Sequence, residues 1–265
     1  MRTRPGFWVR VFGAVIVLGA FGALGAPIIA EAQQYRNITS LSIENFFDGG
    51  YALQAENVLI APLPPEKLQL QFKARNETDK LFDTLRSLTM VHGGPIILFT
   101  PSIYGIGAYG IGMRDTGDLV HEGDLQLHYE TVRFRLGGGA RGRYEPDEDL
   151  AYIIPSLGGR LQLARGFGLS ATYYLGLNND GEFSNAFWAE GDYAITPRVT
   201  AKLGGSVELG DDIALPDGSD LTYAVISGVG YTASETLLLR YELHYLGRAD
   251  LDDGVRNFLF VDWRF

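Results

Sequence analysis

The sequence predicts an all-β fold: a single up-and-down antiparallel barrel that crosses a membrane on twelve to fourteen strands, with one short helix in a loop. Three observations carry the prediction. Apolar and charged residues alternate with period two in segment after segment, and the one long apolar run lies at the amino terminus. The connections between segments also alternate between longer and shorter, as barrel loops and turns do.

Taken in order, residues 1–32 read as an export signal. Arg2, Arg4 and Arg10 give a positive start, residues 11–30 are apolar, and Ala30-Glu31-Ala32 supplies a small-residue cleavage site ahead of Gln33. An uncleaved anchor is the other reading of this run. No later run is apolar enough to cross a bilayer as a helix, so a mature chain resident in a membrane has to cross as a closed barrel.

Early strand candidates are residues 38–47, 51–61, 67–74, 95–99 and 103–113. Between them, residues 76–93 read as a long loop with a short helix. Thr78 can cap it, and Leu81, Phe82, Leu85 and Leu88 follow at helical spacing. Such a helix acts either as a lid in the barrel mouth or as a simple shield at the rim.

The alternation then sharpens. Residues 119–129 form one candidate, and residues 131–144 place Arg133, Arg135, Arg141 and Arg143 opposite Val132, Phe134, Leu136 and Tyr144. Further candidates are residues 149–164, 167–177, 185–195, 199–209 and 221–231. In residues 237–245, Leu237, Leu239, Tyr241, Leu243 and Tyr245 share one face while Arg240, Glu242 and His244 share the other. Residues 257–265 close the series, with Leu259, Val261, Trp263 and Phe265 on one side and Asp262 and Arg264 on the other. The pattern alone leaves a soluble secreted β-protein open.

This terminal strand ending in Phe265 resembles that of the bacterial outer-membrane β-barrels. The resemblance implies residence in the outer membrane, with lipid and lipopolysaccharide as surroundings. It also implies Val261, Trp263 and Phe265 as the signal read by the barrel assembly machinery. Within the barrels, residues 166–211, with GLSATYYLGLNNDG and then DYAITPRVTAKLGGS, are similar to the YaiO type, a likeness that brings no activity with it.

If the apolar face meets lipid, the charged face lines the lumen. It then holds Arg133, Arg135, Arg141, Arg143, Arg160, Lys202, Arg240 and Arg264 beside Asp124, Glu130, Glu190, Asp192, Glu208, Glu242 and Asp262. Such a wall either closes the lumen with ion pairs or leaves a water path for small hydrophilic solutes. The expectation is a small passive channel or an envelope-structural barrel. The alternatives are a surface interaction barrel, in which acidic loops bind cations, lipopolysaccharide or a partner, and a lipid-active hydrolase.

The remaining features narrow these classes. There are 34 Gly, 14 Tyr and 15 Phe, and the absence of Cys removes disulfides, zinc thiolates and thiol nucleophiles together. The chain has 22 basic and 32 acidic residues; taking three arginines and Glu31 away with the leader leaves 19 against 31, a net charge of −12. That balance does not seek nucleic acid. Asp250, Asp252 and Asp253 form the best carboxylate cluster but lack the spacing and distal Glu of a calcium loop, so no metal and no cofactor is expected. No G-x-S-x-G elbow occurs, and His244 with Ser227 is the one catalytic pairing worth checking.

Overall fold

The computed structural model describes residues 34–46, 50–64, 67–81, 84–164, 166–210, 221–248 and 253–265. Residues 1–32, read above as a signal, lie outside them, as do Asp250 and Asp252. Fourteen strands follow one another along the chain. They are β1 (Arg36–Phe46), β2 (Tyr51–Leu63), β3 (Leu68–Leu81), β4 (Thr84–Thr100), β5 (Ile103–Arg114), β6 (Leu119–Glu130) and β7 (Phe134–Glu145). Then come β8 (Leu150–Ala164), β9 (Phe167–Asn178), β10 (Phe183–Ala194), β11 (Val199–Gly210), β12 (Leu221–Ser234), β13 (Leu237–Arg248) and β14 (Gly254–Arg264). Each pairs antiparallel with its neighbours in sequence, and β14 returns to β1 with Arg36 opposite Arg264, so the barrel has no free edge.

The faces are inverted relative to a soluble protein. Leu243, Tyr245 and Trp263 are exposed on the outside, whereas Glu242, His244 and Asp262 are buried on the inside. Leu125 on β6 is 69 % exposed while its in-strand neighbour Glu122 is 4 % exposed. With the backbone satisfied by closure, this is the arrangement that hydrocarbon outside and polar groups inside require. Tyr129, Phe134, Tyr193, Trp263 and Phe265 ring the outside of the lower rim, where Tyr35 and Phe265 exchange backbone hydrogen bonds of 2.9 Å. Tyr144, Phe183, Tyr223 and Tyr245 ring the upper one. Two aromatic belts suit the two interfaces of a bilayer.

Two expectations need correcting. The described residues of 78–90 form no helix: β3 runs on to Leu81 and β4 begins at Thr84, paired Leu81 to Thr84 and Lys80 to Leu85. Leu85 faces out and Leu88 is buried inside, so the helical spacing is split between two faces of a sheet. Pairing of β3 with β2 and of β4 with β5 supplies backbone partners along both strands and overrides the local pattern. In place of the long loop expected over residues 76–93, residues 76–81 and 84–93 are two paired strands, so loop lengths do not alternate there; Phe82 lies outside the described residues. The helical element described in a connection is a three-residue 3₁₀ turn, Pro146–Glu148.

The second correction concerns Arg133. Strand β7 starts at Phe134, and Thr131 closes the turn before it, its amide donating to the Phe134 carbonyl at 2.7 Å while its hydroxyl accepts from the Phe134 amide at 3.1 Å. Val132 is 99 % exposed at the tip. Arg133 is an exposed turn residue of the lower rim, not part of the wall.

Candidate functional site: the charged lumen

The inner face is set by register. On β6 the inward residues are Val120, Glu122, Asp124, Gln126 and His128; Glu122 lies opposite Arg143 of β7 and, on the other side, opposite Gly110 of β5 and then His92 of β4. Glu122 is the hub of this sector. It accepts from Arg75 Nη2 at 2.6 Å, from Arg143 Nε at 2.8 Å and Nη2 at 2.5 Å, and meets His92 Nε2 at 2.9 Å. A buried carboxylate is tolerable only with partners of this kind. Nearer the upper rim, Glu145 is held by Arg114 at 2.7 Å.

A second hub lies across β10 to β13. Lys202 Nζ is 2.7 Å from Glu190 and 2.9 Å from Glu242, which also contacts His244 at 3.1 Å and Arg240 at 3.7 Å. Trp188 donates its indole N–H to Glu190 at 3.1 Å. Between the hubs, Arg160 reaches Asp192 at 2.8 Å. At the seam Arg36 pairs with Asp262, and Arg256 Nε donates to Glu44 at 2.8 Å.

Three of these contacts span a strand because the strand between carries a glycine. His92 reaches Glu122 over Gly110, where a Cβ would lie 2.1 Å from the imidazole ring. Arg160 reaches Asp192 over Gly168, and Lys202 reaches Glu242 over Gly228. The glycines are gaps through which next-but-one strands are tied together.

The predicted lumen residues fall as follows. Arg135, Arg141, Arg143, Arg160, Lys202, Arg240, Glu190, Asp192, Glu242 and Asp262 all sit on the inward register of their strands. Arg133 does not, for the reason given above. Val261, Trp263 and Phe265 lie on the outward register of β14 and beyond it, with the Trp263 and Phe265 rings 5.0 Å apart. Asp253 accepts a hydrogen bond from the Tyr245 hydroxyl, and no group of three candidate metal ligands occurs among the described residues. Arg75, His92, Glu122 and Glu145, all buried, are lumen residues that the sequence reading does not single out.

The suggested catalytic pair does not form. His244 is in register with the inward Ile226, and Ser227 with the outward Leu243, so the two lie on opposite faces. The four histidines bond instead to side chains without a serine: His92 to Glu122, His121 to Tyr109, His128 to Gln126 and His244 to Glu242.

A closed fourteen-strand wall, apolar outside and ionic inside, fixes the class. The fold is that of the bacterial outer-membrane barrels. No family model and no curated protein matches the sequence, so nothing supports the likeness to the YaiO type. Solved structures do match. CymD, a monoaromatic hydrocarbon channel, is 10 % identical over 89 % of each chain, with a TM-score of 0.63. A bacterial polysaccharide outer membrane secretin is 10 % identical over 89 % of this chain and 100 % of its own, with a TM-score of 0.55. OmpT of Vibrio cholerae is 10 % identical over 90 % of this chain and 100 % of its own, with a TM-score of 0.54. At this identity the likeness is one of fold. The outer membrane is where an outer-membrane barrel with such an outer face resides.

Proposed function

We propose that the protein is a passive channel for small hydrophilic solutes. The observation that carries this reading is Arg141, which faces inward from the middle of β7 and yet has half its side chain, 50 %, exposed. A guanidinium in that position needs water around it, and water at mid-wall inside a closed barrel is the beginning of a path. Arg160 and Arg240, at 38 % and 39 %, extend the wet surface toward the lower rim. The hydrocarbon in the name of the similar channel suits a lumen wall of this charge poorly, so ions and polar solutes are the better candidates here.

The test is solute entry into proteoliposomes. Vesicles carrying the refolded barrel are expected to swell in isotonic glycerol or arabinose and to stay closed to a large oligosaccharide. Vesicles that fail to swell in any solute contradict a channel and favour an envelope-structural barrel.

A further inference from the structure

The lumen wall pairs its charges but does not show both signs equally. Among the described residues, and leaving the histidines aside, the buried charged side chains are Glu44, Glu122, Glu145, Glu242 and Asp262 on the acidic side and Arg75 on the basic one. In most pairs the carboxylate is the deeper partner. The Arg256 side chain is 36 % exposed above a Glu44 of 3 %, Arg114 is 21 % exposed above a Glu145 of 2 %, and Arg141 is 50 % exposed above an Asp124 of 21 %. Arg160 above Asp192 and Arg240 above Glu242 repeat the order in other sectors of the wall.

Side-chain length gives the reason. An Asp or Glu keeps its charge close to the strand that bears it, whereas Arg carries its guanidinium on a long stem whose tip reaches water. Both partners point inward, so each such pair is a dipole with its negative end against the sheet and its positive end toward the lumen. Paired charges cancel in number, but not in potential. With hydrocarbon behind the wall and water in front, dipoles aligned in this way hold the water at a positive potential.

Two details refine the picture. At the foot of the wall Arg135 lies in register between Glu130 and Arg160, is exposed, and enters no ion pair among the described residues. On β3 the order reverses, with Glu77 34 % exposed beside Arg75 at 5 %, and Lys73 and Lys202 are about as exposed as the carboxylates they hold. The acids that make the chain negative stand elsewhere. Asp147, Glu148, Asp180 and Glu182 are exposed in the upper connections, in open water, where salt screens them beyond about 10 Å at 0.1 M.

We infer that among charged solutes this channel selects small anions, and that the arginines standing above deeper carboxylates set the preference. The inference rests on the channel reading and adds to it the sign of what passes. Reversal potential in planar bilayers under a potassium chloride gradient, with the refolded barrel, reads that sign. Chloride is expected to be about threefold or more as permeant as potassium near 0.1 M, and to lose most of that lead near 1 M, where the Debye length falls to about 3 Å. Arg141→Gln combined with Arg160→Gln is expected to move the reversal potential toward that of potassium. Glu77→Gln, which removes the most exposed of the paired carboxylates, is expected to move it further toward that of chloride. Single-channel steps in each variant show that it has folded. Steps without a preference, a preference for potassium, or an unchanged potential in the arginine double variant overturn the inference and leave the channel standing. Absence of steps in the parent overturns both.

Discussion

Arg36 holds Asp262 with two parallel hydrogen bonds, 2.9 and 2.7 Å, across the seam where the first strand meets the last. The Asp262 side chain is 5 % exposed and that of Arg36 is 39 %, so the pair is buried on one side only. It ties β1 to β14 at the rim where closure has to finish, a few residues from the ring contact of Tyr35 with Phe265 at 6.0 Å.

That asymmetry makes a directional prediction. Arg36→Ala strands a buried carboxylate and is expected to cost about 2 kcal/mol, less than the roughly 3–5 kcal/mol of a fully buried pair. Asp262→Asn leaves Arg36 free to turn to water and should cost less. Urea unfolding in lipid vesicles measures both; equal losses contradict the account.

Removing the Glu122 charge is expected to be more severe. Glu122→Gln leaves Arg75 with Glu77, at 2.9 Å, and Arg143 with Glu145, at 3.6 Å, as their remaining carboxylates, and removes the anion they share, at a cost of about 3 kcal/mol. The folded band on unheated gels should then convert to the unfolded one at a lower temperature than in the parent. Unchanged conversion would mean that the hub is hydrated and carries little of the wall's stability.

The glycine gaps differ in how much they can yield. At Gly110 a Cβ meets a rigid ring at 2.1 Å, whereas at Gly168 it meets the tips of Arg160 and Asp192 at 2.8 Å. Gly110→Ala is therefore expected to cost about 1–3 kcal/mol and Gly168→Ala clearly less, since flexible ends can move aside. The same urea titration decides, and a reversed order refutes the gap argument.

Arg133 and Arg141 should separate in function. Arg133 stands in an exposed turn, and Arg141 faces the mid-lumen. Arg141→Gln is expected to shift ion selectivity toward cations in reversal-potential measurements, while Arg133→Gln leaves it unchanged. Matching shifts would place both arginines on the ion path.

How much of this was legible depends on contrast between faces. In β6 to β14 apolar residues alternate with charges, and the inward set follows from residues such as Leu239, Arg240, Tyr241 and Glu242. In β3 the inward Lys73, Arg75, Glu77 and Asp79 alternate with Ala74, Asn76, Thr78 and Lys80, polar against mostly polar, so period two leaves no trace. The helical spacing of Leu81, Leu85 and Leu88 filled that silence, and His92 was lost inside a supposed loop. The outward polar groups there are satisfied by one another: Asn57 donates to Thr39 at 2.8 Å and Asn76 to Thr89 at 2.9 Å. Cross-strand register, which brings His92, Glu122 and Arg143 together, is a long-range property that no local pattern encodes.

The central claim, that the ionic face lines a water path and the apolar face meets lipid, has one direct measurement. The chain has no Cys, so single cysteines at the inward Ala108 and the outward Leu125 can be compared in planar bilayers without a background. The account predicts conductance steps for both variants, which a membrane-impermeant charged thiol reagent reduces for Ala108→Cys and leaves unchanged for Leu125→Cys. Absence of steps, or block through the cysteine at 125 and not through the one at 108, would contradict it.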